Sequence, residues 1–107
     1  MGPSLTGRLP FEITRRATRD IAEASAWWDA NRPKAPEAFR EEMDRAIDLI
    51  TSHPSIGALA RDVRLADARR ILLNRVRYFL YYRLSASGKK IVILALWHTS
   101  RGSAPKL

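Results

Sequence analysis

A chain of 107 residues with a formal net charge of +8 is the length of one domain, enough to bury roughly 65% of the surface its unfolded form exposes. It contains no cysteine, which excludes a disulfide framework and a thiolate metal site and makes a reducing cytoplasm the expected compartment. Met1-Gly2-Pro3-Ser4-Leu5 lacks the apolar stretch that export needs, and no apolar run approaches the ~20 residues of a membrane span, so no membrane association is expected.

Residues 1–7 carry Gly, Pro and Ser without periodicity and read as a flexible N-terminus. Leu9, Phe11 and Ile13 alternate as in a short strand, which Pro10 confines to an edge or a strand start. Thr14 is a predicted helix N-cap, since its hydroxyl can accept from an otherwise unpaired backbone N–H. The first helix is predicted from about Arg15 to Ala30. At ~100° per residue, Ala17, Ile21, Ala24 and Trp28 share one stripe, which makes Trp28 a core residue. Trp27 falls at the flank, either as a rim residue closing over the sheet or as an exposed anchor for a partner.

Asn31-Arg32-Pro33 ends that helix, and Pro36 suits the first turn of the next. Glu37 to Ser52 places Phe39, Met43, Ala46, Ile47 and Ile50 on one face. The short connector predicts two helices packed as an antiparallel hairpin. Glu41 and Arg45 stand at a favourable surface spacing, Glu37 and Glu41 at an unfavourable one. None of these carboxylates forms a catalytic pair. Pro54 closes the second helix, and a long connection with little periodicity runs to Asp67.

Three strand-like runs follow: 69–74, 76–84 and 91–97, rich in β-branched and aromatic residues. Asn74-Arg75 and Ser85-Ala86-Ser87-Gly88 are too short for crossovers, so both junctions are predicted hairpins. In the middle run Val76, Tyr78, Leu80, Tyr82 and Leu84 share one face, Arg77, Phe79, Tyr81 and Arg83 the other. The first face is expected to take the helices, the second to lie open to something charged. The nearly continuous apolar run at 91–97 suits a central strand. The predicted fold is therefore α+β, ordered β-α-α-β-β-β, with a helix hairpin packed on one face of a mostly antiparallel sheet. Residues 8–102 form the single domain, with a C-terminal tail at 103–107.

Charge is divided unevenly along this order. Residues 55–107 hold eleven Lys and Arg against Asp62 and Asp67, a net of +9, and the first half nets −1. A sheet half this basic attracts polyanions or an acidic partner. The plainer reading is a solvated surface that keeps the chain dissolved.

The opening Phe11-Glu12-Ile13-Thr14-Arg15-Arg16-Ala17, the strands Tyr78-Phe79-Leu80-Tyr81-Tyr82-Arg83 and Lys90-Ile91-Val92-Ile93-Leu94, and the ending His98-Thr99-Ser100-Arg101 together resemble the RelE/ParE superfamily of type II toxin–antitoxin toxins. The likeness spans about residues 8–102, and its last piece is similar to the family's His-x-x-Arg ending. It implies a protein neutralised by a cognate antitoxin, ParD-like or other, whose C-terminal segment wraps the toxin. RelE-like members are ribosome-dependent mRNA endoribonucleases, and ParE-like members poison DNA gyrase. The helix hairpin and the Tyr-Tyr-Arg strand resemble the ParE branch more closely. No cofactor is implied. The expected antitoxin contacts are Trp27, Arg77, Tyr81 and Arg83.

Cutting RNA through its 2′-OH requires a group to take that proton, a group to protonate the leaving 5′ oxygen, and positive charge on the transition state. Arg70, Arg83 and Arg101 can supply charge, and His98 is the one plausible proton carrier of the sheet half. The plainer reading of His98 is a strand-end ring bonded to a neighbouring backbone group. The lysine-rich cluster of RelE-type nucleases has no counterpart beyond Lys89 and Lys90. Two distant histidines, His53 and His98, without cysteine or a carboxylate at ligand spacing, suggest no metal site. A third reading is a non-catalytic nucleic-acid module, in which arginines interleaved with Tyr78, Phe79, Tyr81 and Tyr82 stack bases and hold phosphate. Against it stands cross-strand packing of those rings.

Overall fold

Thr14 joins helix to sheet. Its backbone is extended (φ −65°, ψ 162°) and its Oγ1 accepts from the Ala17 N–H at 3.0 Å, as an N-cap should. The same hydroxyl donates to the carbonyl of Leu94 at 3.3 Å, while the Thr14 N–H donates to Ile93 at 3.1 Å. Replacing Thr14 by Ala removes both side-chain bonds and is expected to cost about 1–2 kcal/mol of folding stability, whereas Thr14→Ser retains most of it. Urea unfolding monitored by tryptophan fluorescence measures the difference.

The computed structural model describes residues 8–107, so the flexible N-terminus expected at 1–7 lies outside the described residues. β1 spans Phe11–Ile13, α1 Arg15–Asn31, α2 Ala38–Ser52, β2 Ala58–Leu59, β3 Arg69–Leu73, β4 Tyr78–Leu84 and β5 Ile91–His98. They form a five-stranded sheet in the order β1-β5-β4-β3-β2, parallel only where β1 meets β5. The expected interior position of the last strand and the edge position of the first both hold. The two-residue strand β2 was not expected. It lies inside the connection read as structureless, and two residues are too few to show alternation.

α1 packs on β5 and α2 on β3. Ala17, Ala24, Trp28, Phe39, Met43, Ala46 and Ile50 bury against Leu80, Tyr82, Ile91, Ile93 and Leu96 of the sheet, as the two helical stripes require. The expected Glu41–Arg45 pairing does not form. Arg45 instead bonds Glu42 at 2.8 Å, and Glu41 reaches Arg75 at 3.2 Å. Glu42 is the surprise of this helix: it is only 7% exposed, and its second oxygen accepts from the Arg75 N–H at 3.2 Å. That bond fastens α2 to the turn between β3 and β4.

The turn itself is longer than predicted. Residues 74–77 all leave the ladder, the Arg77 N–H donates to the Leu73 carbonyl at 2.8 Å, and Arg77 takes φ +65°. Arg77 therefore does not stand on a sheet face with Phe79 and Tyr81. It projects from an exposed turn and bonds Asn74. The second hairpin closes as expected, with Gly88 at φ +74°, where glycine carries no Cβ penalty.

A bulge separates Tyr81, opposite Ala95, from Tyr82, opposite Ile93, leaving Leu94 as the extra residue of β5. The carbonyl that Thr14 caps belongs to this extra residue, so the bulge and the helix start hold each other. The second face of the sheet is not open, contrary to expectation. Ala60, Ala68, Tyr81, Leu94 and Ala95 form a second core there, with Val63, Leu65, Trp97 and Leu107 packed against it. The 60–68 connection and the C-terminal segment cover this face, and residues 103–107 lie against it: Trp97 Nε1 donates to the Ser103 carbonyl at 2.6 Å and Arg16 to that of Lys106 at 3.1 Å.

Candidate functional site

The arginines and rings of the sheet half assemble into an alternating row across β3, β4 and β5. The Arg70 guanidinium lies 4.1 Å from the Phe79 ring centre. Phe79 is paired across the ladder with Trp97. Arg101 stacks on Trp97 at 4.2 Å, and Arg16 of α1 stands 5.7 Å from the same ring. Each contact places a cation over the negative face of an aromatic ring. Strand register brings Arg70, Phe79 and Trp97 together from positions up to 27 apart in sequence, and Arg16 and Arg101 join the row from outside the strands.

Trp97, His98 and Arg101 form the wall between two clefts. On the second face, a hollow of about 260 Å³ is lined by Arg70, Phe79, Tyr81, His98 and Arg101 together with Asp62. On the helix side, a cleft of about 210 Å³ brings Trp27, Asp20 and Glu23 to Tyr78, His98 and Arg101. Trp27 is 47% exposed, and Arg32 holds its ring at 5.7 Å. Its neighbours are thus the His98 end of the sheet and not the Tyr81 face.

Of the residues singled out for nuclease chemistry, Arg70, His98 and Arg101 meet in one hollow. Arg83 does not. It pairs with Val92 near the far end of β4, four residues from Phe79 and so about 13 Å along the strand. His98 packs edge-on against Tyr78, with ring centres 4.9 Å apart. Its Nδ1 accepts from the Ser100 N–H at 3.0 Å and lies 2.7 Å from the Ser100 hydroxyl. A backbone N–H can only donate, so the neutral ring carries its hydrogen on Nε2. In that tautomer the free nitrogen can donate a proton but cannot accept one.

Tyr81, expected as an antitoxin contact on an open face, is only 1% exposed. Its hydroxyl donates to Asp62 at 3.1 Å, and Asp62 pairs with Arg70 at the same distance. Burial raises the Tyr81 pKa above the ordinary phenol value; the Arg70 hydrogen bond opposes that shift and the Asp62 bond adds to it. A phenol so placed stays protonated at neutral pH, holding Arg70 in position. The sequence pattern gives neither Asp62 nor Trp97 a role at this site. Trp97 is an amphipathic ring at a strand end, a signal that was available. Asp62 lies in an aperiodic connection and had none.

Among the described residues, no group of three or more histidines and carboxylates is placed to hold a metal, and no helix is long and apolar enough to cross a membrane.

A model of the family described as the ParE toxin of the type II toxin–antitoxin system, parDE, matches residues 11–102. The chain belongs to the ParE toxin family. Its fold is similar to that in the chromosomal ParDE toxin–antitoxin system from P. aeruginosa, with a TM-score of 0.68 at 20% identity over 88% of this chain and 99% of that one. It is also similar to the isolated E. coli RelE toxin, with a TM-score of 0.62 at 17% identity over 88% and 87% of the two chains. A chain of the RelBE2 toxin–antitoxin complex from Mycobacterium tuberculosis gives 0.59 at 22% identity over 85% and 98%. No curated protein sequence matches. The two helices on a five-stranded, mostly antiparallel open sheet are thus the RelE/ParE architecture. The chain is thus a ParE-family toxin of a type II toxin–antitoxin system.

Proposed function

We propose that this ParE-family toxin acts in the cytoplasm by binding DNA gyrase, without cutting RNA itself, and that an acidic antitoxin neutralises it by seating an apolar segment in the cleft at Trp27. The observation that carries this reading is the half-exposed Trp27 at the mouth of a cleft whose other wall is His98 and Arg101. A large exposed ring beside cations suits an acidic segment with apolar anchors, which must offset the entropy lost when a disordered chain is ordered. Arg77, on the exposed turn behind Thr99, is a second contact of that surface; its carbonyl accepts from the Thr99 N–H at 3.0 Å. The His98 tautomer speaks against a nuclease, because its one lone pair, on Nδ1, is engaged by Ser100 and does not face a 2′-OH proton.

One observation favours the RelE-like alternative: Arg70, His98 and Arg101 share a hollow that offers cationic charge and one proton donor. Purified protein is expected to block gyrase supercoiling of relaxed plasmid while leaving mRNA on translating ribosomes intact, and His98→Ala is expected to retain the block. Cut transcripts, with cutting lost in His98→Ala, decide for the nuclease. Gyrase activity untouched at saturating protein removes the primary reading.

A further inference from the structure

Arg83 is an arginine without a use in either cleft. Its Nε is buried and has no hydrogen-bond partner, and among the described residues its guanidinium enters no ion pair. A buried donor left unpaired is unfavourable, and native structures rarely keep one without reason. Arg83 lines a separate pocket of about 280 Å³ at the opposite end of the sheet from His98, with Leu59, Leu84, Asp67 and Arg69 among its walls. Arg69 is already committed there, donating to the Gly57 and Ser55 carbonyls at 2.6 and 3.3 Å. Asp67, held at φ +67°, pairs with neither arginine within ion-pair distance, so Arg83 is the uncommitted cation of the pocket.

The apolar part of the wall is equally distinctive. Leu59 is 48% exposed and Leu84 39%, at the side of the sheet where β2 is the last strand. Among the described residues no aromatic ring lines the pocket, so a nucleobase finds nothing to stack on, and the Asp67 carboxylate disfavours a doubly charged phosphate. A single carboxylate beside aliphatic side chains fits both parts: the guanidinium fork takes the carboxylate in bidentate fashion, and the leucines cover the neighbouring residues. We infer that this pocket binds a glutamate or aspartate flanked by aliphatic residues, carried on an extended segment of the antitoxin, as an anchor separate from the Trp27 cleft. The source of the segment rests on the proposed function; the chemistry of the pocket does not.

The test reads the Arg83 Nε–H resonance in proton–nitrogen correlation spectra. Acetyl-Val-Glu-Leu-amide at millimolar concentration is expected to shift it, with acetyl-Val-Gln-Leu-amide at least tenfold weaker. Arg83→Met is expected to abolish the peptide-induced shifts of the pocket's backbone amides and Arg83→Lys to weaken binding at least tenfold, because an ammonium lacks the planar fork. Both variants are checked for fold by tryptophan fluorescence. A resonance indifferent to the glutamate peptide overturns the proposal, as does one moved only by a six-nucleotide oligothymidylate. The antitoxin itself should bind Arg83→Met at least tenfold more weakly than wild type. Equal binding overturns the anchor while leaving the proposed function standing, and an antitoxin that binds neither protein removes the proposed function instead.

Discussion

Tyr82→Ala is expected to cost about 3–5 kcal/mol and leave little folded protein at 37 °C. The ring is fully buried in the core that the helices and the sheet share, and its hydroxyl has two tasks there. It donates to the Pro54 carbonyl at 2.8 Å and accepts from the Gly57 N–H at 2.9 Å. These bonds tie the end of α2 and the approach to β2 onto the central strand. Gly57 belongs to the same joint, since a Cβ built there would stand 2.7 Å from the Tyr82 hydroxyl and 2.8 Å from the Arg70 carbonyl. Tyr82→Phe isolates the hydroxyl: it keeps the ring, strands two backbone groups and is expected to cost about 1–3 kcal/mol. Burial raises the Tyr82 pKa above its ordinary value of 10.0. The unfolded chain therefore releases the phenol proton first, and stability that is complete below pH 10 falls as pH rises beyond it. Tyr82→Phe should lessen that alkaline loss. Urea titrations of the three proteins at pH 7 and above 10 measure both effects.

Trp27→Ala is expected to weaken the antitoxin complex by about 30-fold or more, corresponding to roughly 2 kcal/mol, the range of an interface tryptophan in a desolvated pocket. The same change should move folding stability by less than about 1 kcal/mol, because the ring lies outside the helix stripe and is half in solvent. Leu49→Ala is the control. Leu49 is another exposed apolar side chain of the helix pair, away from the Trp27 cleft, and its loss should leave affinity unchanged. Titration calorimetry with purified antitoxin separates the two outcomes. Unaltered affinity in Trp27→Ala would place the docking surface elsewhere.

The two variants probe different kinds of contact. Tyr82 acts within the chain, where a helix end, a short edge strand and the central strand converge. Trp27 faces outward, at a cleft that the His98 end of the sheet also lines. Arg101 belongs to both clefts flanking Trp97, so a charge change there reaches the helix side and the second face together.

Much of this was written in local patterns. The stripes of α1 and α2, the Thr14 cap and the apolar run of β5 follow from periodicity and from the hydrogen-bond needs of a helix start, which depend only on neighbours within a few residues. The bland reading of His98, a ring bonded to a nearby backbone group, was legible for the same reason: its partner, Ser100, is two positions away. Arg77 was misplaced because a turn's length depends on how α2 grips it through Glu42. Tyr81 was misplaced because alternation tells which face a residue takes, and says nothing of what covers that face. The chain by itself thus determined its two helices and its longer strands, its family likeness and its cationic half. Only tertiary structure decided that residues 60–68 and the C-terminal segment close the second face, that Trp27 faces His98, and that Arg83 stands apart. Those outcomes depend on register, a bulge and covering loops, which arise from contacts between residues tens of positions apart.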